Sequence, residues 1–338
     1  MSARSTRSPG VSPWAVVLAG GEGARLRPLI RRVLGDERPK QYVPLLGPRS
    51  LLRQTLDRVA LRVPVSRTVV VTVRAHTGHI AQEFTGGAEP PYVLVQPSDR
   101  GTAAGILHAA HWIRRLDPGA TVAFFPSDHF ILGEATFMAH VSDVVRAVEA
   151  HDDRIALLGV PPTAPEIEYG WMQPGAPIDG PDGVLRTVRE FCETPSEARV
   201  QLGLATGCLW NTAIMVARAE TVIALGALAL PEMSARLDRV GAFADSNEEP
   251  AALHQAYALM PRASFGRAAL ERHPERLAVS ALPRVTWCDL GSPSRVLAVL
   301  ARMRVRPAWA ETPAWAEVPA RSEVPGGSEV IDRPAIPA

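Results

Sequence analysis

The sequence predicts an α/β fold: a mostly parallel, Rossmann-like sheet with helices on both faces and a small antiparallel excursion. Three observations carry this. Short apolar runs rich in Val and Leu recur at residues 14–19, 68–73, 92–95, 121–125 and 155–160. Helix-like segments separate them, at 50–62, 76–84, 102–115 and 134–149. The runs are apolar at nearly every position, as expected of strands covered on both faces.

The elements follow in order. Residues 1–12 are rich in Ser, Arg and Pro and read as a flexible arm. The run at 14–19 follows Arg4 and Arg7, which raises the question of a secretory leader. It is shorter than the roughly 7–15 residues of a leader core, and it enters glycines and arginines instead of a cleavage site. A buried strand is the better reading. The strand and helix pattern then continues to residue 160. Beyond it Pro and Gly become dense, and two longer strand-like runs at 184–193 and 208–217 suggest the antiparallel excursion beside the main sheet. Helical segments follow at 219–228, 231–240 and 250–259, then short strands at 277–281 and 285–288 and a last helix at 292–303. Residues 13–305 therefore read as one domain. Residues 306–338 repeat Pro, Ala and Glu, with PAWAE occurring twice, and read as a disordered tail.

Composition narrows the function classes. A net charge of +1 gives no global field for nucleic acid or a membrane surface. No apolar stretch approaches the roughly 18 residues of a membrane span. Cys192, Cys208 and Cys288 form no zinc-type cluster, and an odd count argues against a disulfide framework. A reduced, cytoplasmic setting fits best. Lys40 is the only lysine among 36 basic residues, all others being arginine. A composition bias accounts for the arginines. The surviving lysine marks either chance or a place where a compact ammonium is needed.

The stretch LAGGEGARLRPL, starting at Leu18, puts Gly20, Gly21, Glu22 and Gly23 directly after the first strand. Bare backbone amides in such a loop can wrap phosphate oxygens. No Gly-Lys-Ser/Thr follows, and Leu26 stands where a dinucleotide fingerprint needs its third glycine, so neither common phosphate motif applies. Alone, the loop is equally a tight turn.

Its surroundings are more specific. LAGGEGARLRPL with RPKQYVPL resembles the signature of sugar-phosphate nucleotidyltransferases, most closely the mannose-1-phosphate guanylyltransferases. QPSDRGTAAGI, FFPSDHFI, EYGWM, FCETP, LWNTAIM and VTWCDLGSPSRV are similar to later motifs of that family, in order, across about residues 14–304. The resemblance implies attack of a sugar 1-phosphate oxygen on the α-phosphorus of a nucleoside triphosphate, with GTP and mannose 1-phosphate as the expected pair. It implies a nucleotide-binding loop at Gly20, Gly21, Glu22 and Gly23, with Arg25 on the β- and γ-phosphates and Lys40 at the α-phosphate. It places Gln96, Gly101 and Thr102 around the base, with Gly101 leaving room for the ring. Tyr169, Gly170, Glu193 and Asn211 would form the sugar site, with Trp171 and Trp210 packing beside it. Asp128 and Asp289 would hold Mg2+; a helix cap is the alternative for Asp289. His129 reads as structural. A homodimer is allowed, and neither nucleic acid nor membrane is expected as a partner.

The chain also departs from the pattern. Thr194 stands where the family usually has a lysine that contacts the sugar phosphate, so a cation is expected to be missing. Asn211-Thr212-Ala213 replaces Asn-Ser-Gly, and Ser264-Phe265-Gly266 replaces a Ser-x-Asp segment. Residues 306–338 are too few and too polar for the cupin-like isomerase domain of many long members. A nucleotide-binding homologue without turnover, or the same chemistry on another sugar or base, are the competing expectations.

Overall fold

In the computed structural model, residues 12–307 and Trp309 are described, apart from 36, 86–88, 152, 179 and 181–182. The first half alternates as anticipated, with α1 and β5 added: β1 (Trp14–Leu18), α1 (Arg27–Leu34), α2 (Leu51–Val59), β2 (Thr68–Val73), α3 (Thr77–Glu83), β3 (Tyr92–Gln96), α4 (Thr102–Leu116), β4 (Thr121–Pro126), β5 (Phe130–Leu132), α5 (Glu134–Ala150) and β6 (Ile155–Val160). Then come β7 (Trp171–Pro177), β8 (Arg186–Cys192), α6 (Glu197–Thr206), β9 (Leu209–Arg218), α7 (Ala219–Ala229), α8 (Pro231–Val240) and α9 (Glu249–Ala258). β10 (Leu277–Ala281), β11 (Thr286–Cys288) and α10 (Pro293–Met303) close the domain. Helix starts carry their own caps: the hydroxyls of Ser50 and Ser292 accept from the amides of Arg53 and Arg295.

Nine strands form one sheet in the order β3-β2-β1-β4-β9-β6-β10-β8-β7. The neighbours β3, β2, β1 and β4 are parallel, and so are β6 and β10. β9 runs antiparallel between β4 and β6. The antiparallel excursion therefore does not lie only beside the main sheet, as the sequence suggested; one of its strands is central. The reason is legible in burial: β9 carries Ile214, Met215, Val216 and Ala217, buried on both faces, and fills the gap between two parallel blocks. A separate ribbon pairs β11 with β5.

The sheet has a core on each face. Along β1, Trp14 and Val16 enter one core while Ala15 and Val17 enter the other. α4, α7 and α8 cover the first face; α2 and α5 cover the second. The glycine loop follows β1, Gln96 ends β3, and Asp128 follows β4, so all three lie at the carboxyl ends of neighbouring parallel strands, where open α/β sheets bind ligands.

A third, smaller cluster joins α1, the segment after Lys40 and α10 through Leu29, Ile30, Val43, Leu45, Val296 and Leu300. Trp309 belongs to it. The indole is 5% exposed and its Nε1 donates to the Leu45 carbonyl at 3.1 Å. The sequence reading put Trp309 in a disordered tail; a large apolar ring with a donor partner outweighs the polar composition around it. The arm expected over 1–12 and the tail expected over 306–338 lie outside the described residues except for residues 12, 306–307 and 309. Trp309→Ala should destabilise the domain by about 3 kcal/mol, as for other buried aromatic truncations. Thermal melting checks this, and an unchanged midpoint would contradict the docking.

Two histidines on the buried side of α4 give a pH signature. Burial pushes His108 and His111 down to about 4 from 6.5. Between those values the unfolded chain binds more protons than the folded one, so stability rises with pH across that window. His108→Gln should flatten part of the rise in denaturant melts taken across it.

Candidate active site

The glycine loop is held from below. Gln41 Nε2 donates to the carbonyls of Ala19 and Gly21 at 3.0 and 2.8 Å, and Tyr42 OH donates to Ala19 O at 3.2 Å. Gly23 has φ +60, and a Cβ there would lie 3.0 Å from both the backbone nitrogen and Cγ of Lys40. A Cβ on Gly21 would meet nothing within 4 Å, so this part of the loop is open to a ligand. The Glu22 carboxylate pairs with Arg27 at 2.8 Å rather than turning into the loop. Gln41 was part of the quoted signature but had no assigned role; it clamps the loop.

Lys40 is the centre of the arrangement. Its Nζ donates to the Asp289 carbonyl at 2.8 Å and to the Leu290 carbonyl at 3.3 Å, and lies 3.2 Å from Asp128 Oδ2. Asp128 through its carboxylate and Asp289 through its main-chain carbonyl thus share one ammonium. The Asp289 carboxylate is also heavily engaged. Oδ1 accepts from Tyr169 OH and from the Gly291 amide, both at 2.9 Å, and Arg295 Nη1 reaches both oxygens at 3.1 and 3.2 Å. Burial alone would raise this carboxyl, but Arg295, the Gly291 amide and Lys40 outweigh it and hold the group below its ordinary value. Two carboxylates are hard oxygen donors of the kind magnesium takes beside phosphate oxygens, so the donor chemistry fits that ion. Among the described residues no cluster of three or more His, Cys, Asp or Glu is placed to hold a metal.

Arg25 lies on the rim, its guanidinium 2.8 Å from Glu168 and 3.8 Å from Asp289. Arg295 pairs with Glu166 and with Glu168, the latter at 3.0 Å, and stacks over the Tyr169 ring at 4.5 Å. The sequence reading missed Arg295, because one arginine in an arginine-rich helix carries no signal of its own. His129 accepts from Trp287 Nε1 at 3.2 Å, and burial pushes it down to about 4. It is neutral near pH 7.

On the expected base side, the Gln96 amide is buried. Its Oε1 accepts from Tyr257 OH at 3.2 Å, and its Nε2 lies 3.1 Å from where a Cβ of Gly20 would stand. Gly101 has φ +81, and its missing side chain makes room for protein, not for a ring: a Cβ would stand 2.3 Å from the Ala263 carbonyl oxygen. The Ala103 amide donates to that same oxygen, and the Phe265 amide donates to Thr102 Oγ1 at 3.0 Å. Residues 101–103 are thereby bolted to 263–265.

The four expected sugar-site residues are in part brought together. A Cβ on Gly170 would stand 3.2 Å from Glu193 Oε2 and 3.3 Å from Asn211 Cβ, and the Asn211 amide donates to Gly170 O at 2.7 Å. Tyr169 instead turns its hydroxyl to Asp289 and packs edge-on against Trp210. The two sequence departures meet in space. The Glu193 carboxylate occupies the room above Gly266, whose Cβ would lie 2.4–2.6 Å from it. Arg267 Nη2 donates to Thr194 Oγ1 at 2.8 Å. The cation expected to be lost at Thr194 is thus replaced by one arriving from another segment, which the local motif could not reveal.

Residues 14–304 match the family model described as Nucleotidyl transferase. The chain belongs to that family. Among nucleotidyl transferase relatives, the xanthan biosynthesis protein XanB of Xanthomonas campestris pv. campestris (strain B100) is 31% identical over 287 residues, 84% of this chain and 58% of that protein. A mannose-1-phosphate guanylyltransferase of Klebsiella pneumoniae is 26% identical over 289 residues, 84% of this chain and 59% of that protein. The chain therefore spans under two thirds of the length of these relatives. A crystal structure of mannose-1-phosphate geranyltransferase from Thermus thermophilus superposes with a TM-score of 0.72 at 29% identity, over 85% of this chain and 80% of that one. Among the described residues no helix is long and apolar enough to cross a membrane.

Gly101→Ala tests the bolt between 101–103 and 263–265. The obstructing atom is backbone and φ is positive, so strain of at least ~2 kcal/mol is expected. The melting temperature should fall; an unchanged midpoint would show that the contact is dispensable.

Proposed function

We propose that the chain transfers GMP from GTP to mannose 1-phosphate, giving a nucleotide sugar and pyrophosphate. One observation supports the transfer chemistry: the glycine loop after β1 packs on Lys40 at Gly23, while the Lys40 ammonium meets the Asp128 carboxylate after β4 and the main-chain carbonyl of Asp289 after β11. This concentrates phosphate-seeking amides, one compact cation and two carboxylates at the sheet's ligand-binding edge. The choice of guanine and mannose draws on the names of the relatives.

The residues would divide the work. An oxygen of the sugar phosphate forms a bond to the α-phosphorus as the bond from that phosphorus to the β-phosphate's bridging oxygen breaks, and pyrophosphate departs. Loop amides around Gly21 hold the triphosphate. Lys40 faces the α-phosphate, where negative charge builds in the transition state. Arg25 leaves Glu168 for the departing pyrophosphate. Asp128 and Asp289 would hold Mg2+, which when bound neutralises phosphate charge and aligns the reacting oxygens. Little covalent work falls to the protein; alignment and charge do most of it.

A binding-only reading has one observation in its favour: Arg295 already neutralises Asp289. Pyrophosphate release separates the two. With magnesium, GTP and mannose 1-phosphate, release is expected, and a panel of other triphosphates and hexose 1-phosphates ranks the specificity. Nucleotide binding without release from any pair would favour the binder. Lys40→Ala should lower kcat by about 10²–10³-fold with little loss of GTP affinity. Lys40→Arg should recover only part, since a planar guanidinium does not fill an ammonium's place. Full turnover in Lys40→Ala would refute the assignment.

A further inference from the structure

Most cations around this cleft are committed to carboxylates of the chain itself. Lys40 lies on Asp128, Arg25 on Glu168, and Arg295 on Asp289, Glu166 and Glu168. Arg267 differs. It projects, exposed, from a π-helical turn at Gly266–Leu270. Among the described residues its guanidinium makes one hydrogen bond, to the neutral hydroxyl of Thr194, and no ion pair. A guanidinium has five N–H donors, so most of the fork is free.

Its neighbour has the opposite need. Glu193 Oε2 is buried and has no hydrogen-bond partner. Burial and the charge of Glu271 push the Glu193 carboxyl up, while Arg267 pulls it down. A buried acceptor without a donor is costly, and a ligand hydroxyl would remove that cost. The absent side chain of Gly266 makes the room that this carboxylate occupies, and Gly170 and Asn211 border it. An acceptor that lacks a hydroxyl thus adjoins a guanidinium that lacks an anion.

We propose that Arg267 binds the phosphate of the acceptor substrate, while Glu193 Oε2 accepts from a hydroxyl of the same molecule. The ligand class is a phosphomonoester of a polyhydroxylated ring. This rests on the sugar 1-phosphate reading above and deepens it by naming the residue that recognises the acceptor's charge. Thr194 serves as the rest for the guanidinium: it takes one N–H and leaves the planar fork for two phosphate oxygens. The turn that carries Arg267 is itself fixed, since the Phe265 amide donates to Thr102 and the Glu271 amide to Gly266 O. The site is therefore preorganised on both sides.

Calorimetric titration of the full chain with mannose 1-phosphate, glucose 1-phosphate, free mannose and inorganic phosphate tests this, alongside steady-state kinetics. Arg267→Ala should weaken binding of a sugar 1-phosphate, and raise its KM, about tenfold or more, the usual worth of a charge-assisted contact. GTP affinity, free mannose affinity and melting temperature should stay as in the wild type. Arg267→Lys should retain part of the binding. Arg267→Ala combined with Thr194→Lys should regain it, because a cation then arrives from the other partner. Wild-type affinity in Arg267→Ala would overturn the proposal, as would a parallel loss of GTP and sugar binding or no measurable binding of any sugar phosphate by the wild type. Binding of inorganic phosphate alone, with no preference for the sugar phosphates, would overturn it too. If sugar phosphate binds in an Arg267-dependent way yet no pair yields pyrophosphate, the transfer reaction fails and the anion site stands. If turnover is normal and Arg267→Ala keeps its KM, the reaction stands and the anion site falls.

Discussion

One ammonium organises this protein. Lys40 Nζ joins the loop after β4, through Asp128, to the loop after β11, through the Asp289 and Leu290 carbonyls, while its stem packs on the glycine loop at Gly23. The acceptors are one carboxylate oxygen and two carbonyl oxygens, which suits the three N–H bonds of an ammonium. A guanidinium is longer and flat and cannot close the same three contacts beside Gly23. This gives a physical reason why a chain that otherwise uses arginine keeps a lysine here. The same nitrogen therefore ties the Asp128 carboxylate to the backbone that carries Asp289.

Around that centre the charges are arranged in a ring of mutual restraint. Arg295 holds Asp289, Glu166 and Glu168 together, and Arg25 shares Glu168 with it. Lys40, Arg25 and Arg295 each have an acid of the chain as partner. Arg25 is exposed and paired on the rim, where exchanging one anionic partner for another costs little. Arg295, less exposed and bound to several acids, is the fixed member. The two arginines thus differ: one is lightly held on the rim, the other fixed among several acids.

Much of the fold was legible because the strands that build it are buried on both faces and nearly pure in apolar residues. β2, β6 and β10 ended where the apolar runs ended. The central place of β9 was not legible, since a fully buried strand has the same pattern whichever way it runs. α1 was missed because Arg27, Pro28, Arg31 and Arg32 mask its short apolar stripe, and β7 because Pro174 and Gly175 sit where its register shifts. At the site, motifs placed Lys40, Asp128 and Asp289 near one another. They misjudged Gly101, whose space is taken by Ala263, and could not foresee Arg267, which meets Thr194 from 73 residues away. Contacts that bridge distant segments leave no local spacing to read.

The bolt between 101–103 and 263–265 reaches further than the base side. The strip that begins at Ala263, under Gly101, continues within a few residues to Gly266 under Glu193 and to Arg267 on Thr194. One strip of chain, 263–267, thus runs from the region expected for the base to the region expected for the sugar. The two expected substrate regions thus share one short stretch of backbone, so a change in its length or path would alter both at once.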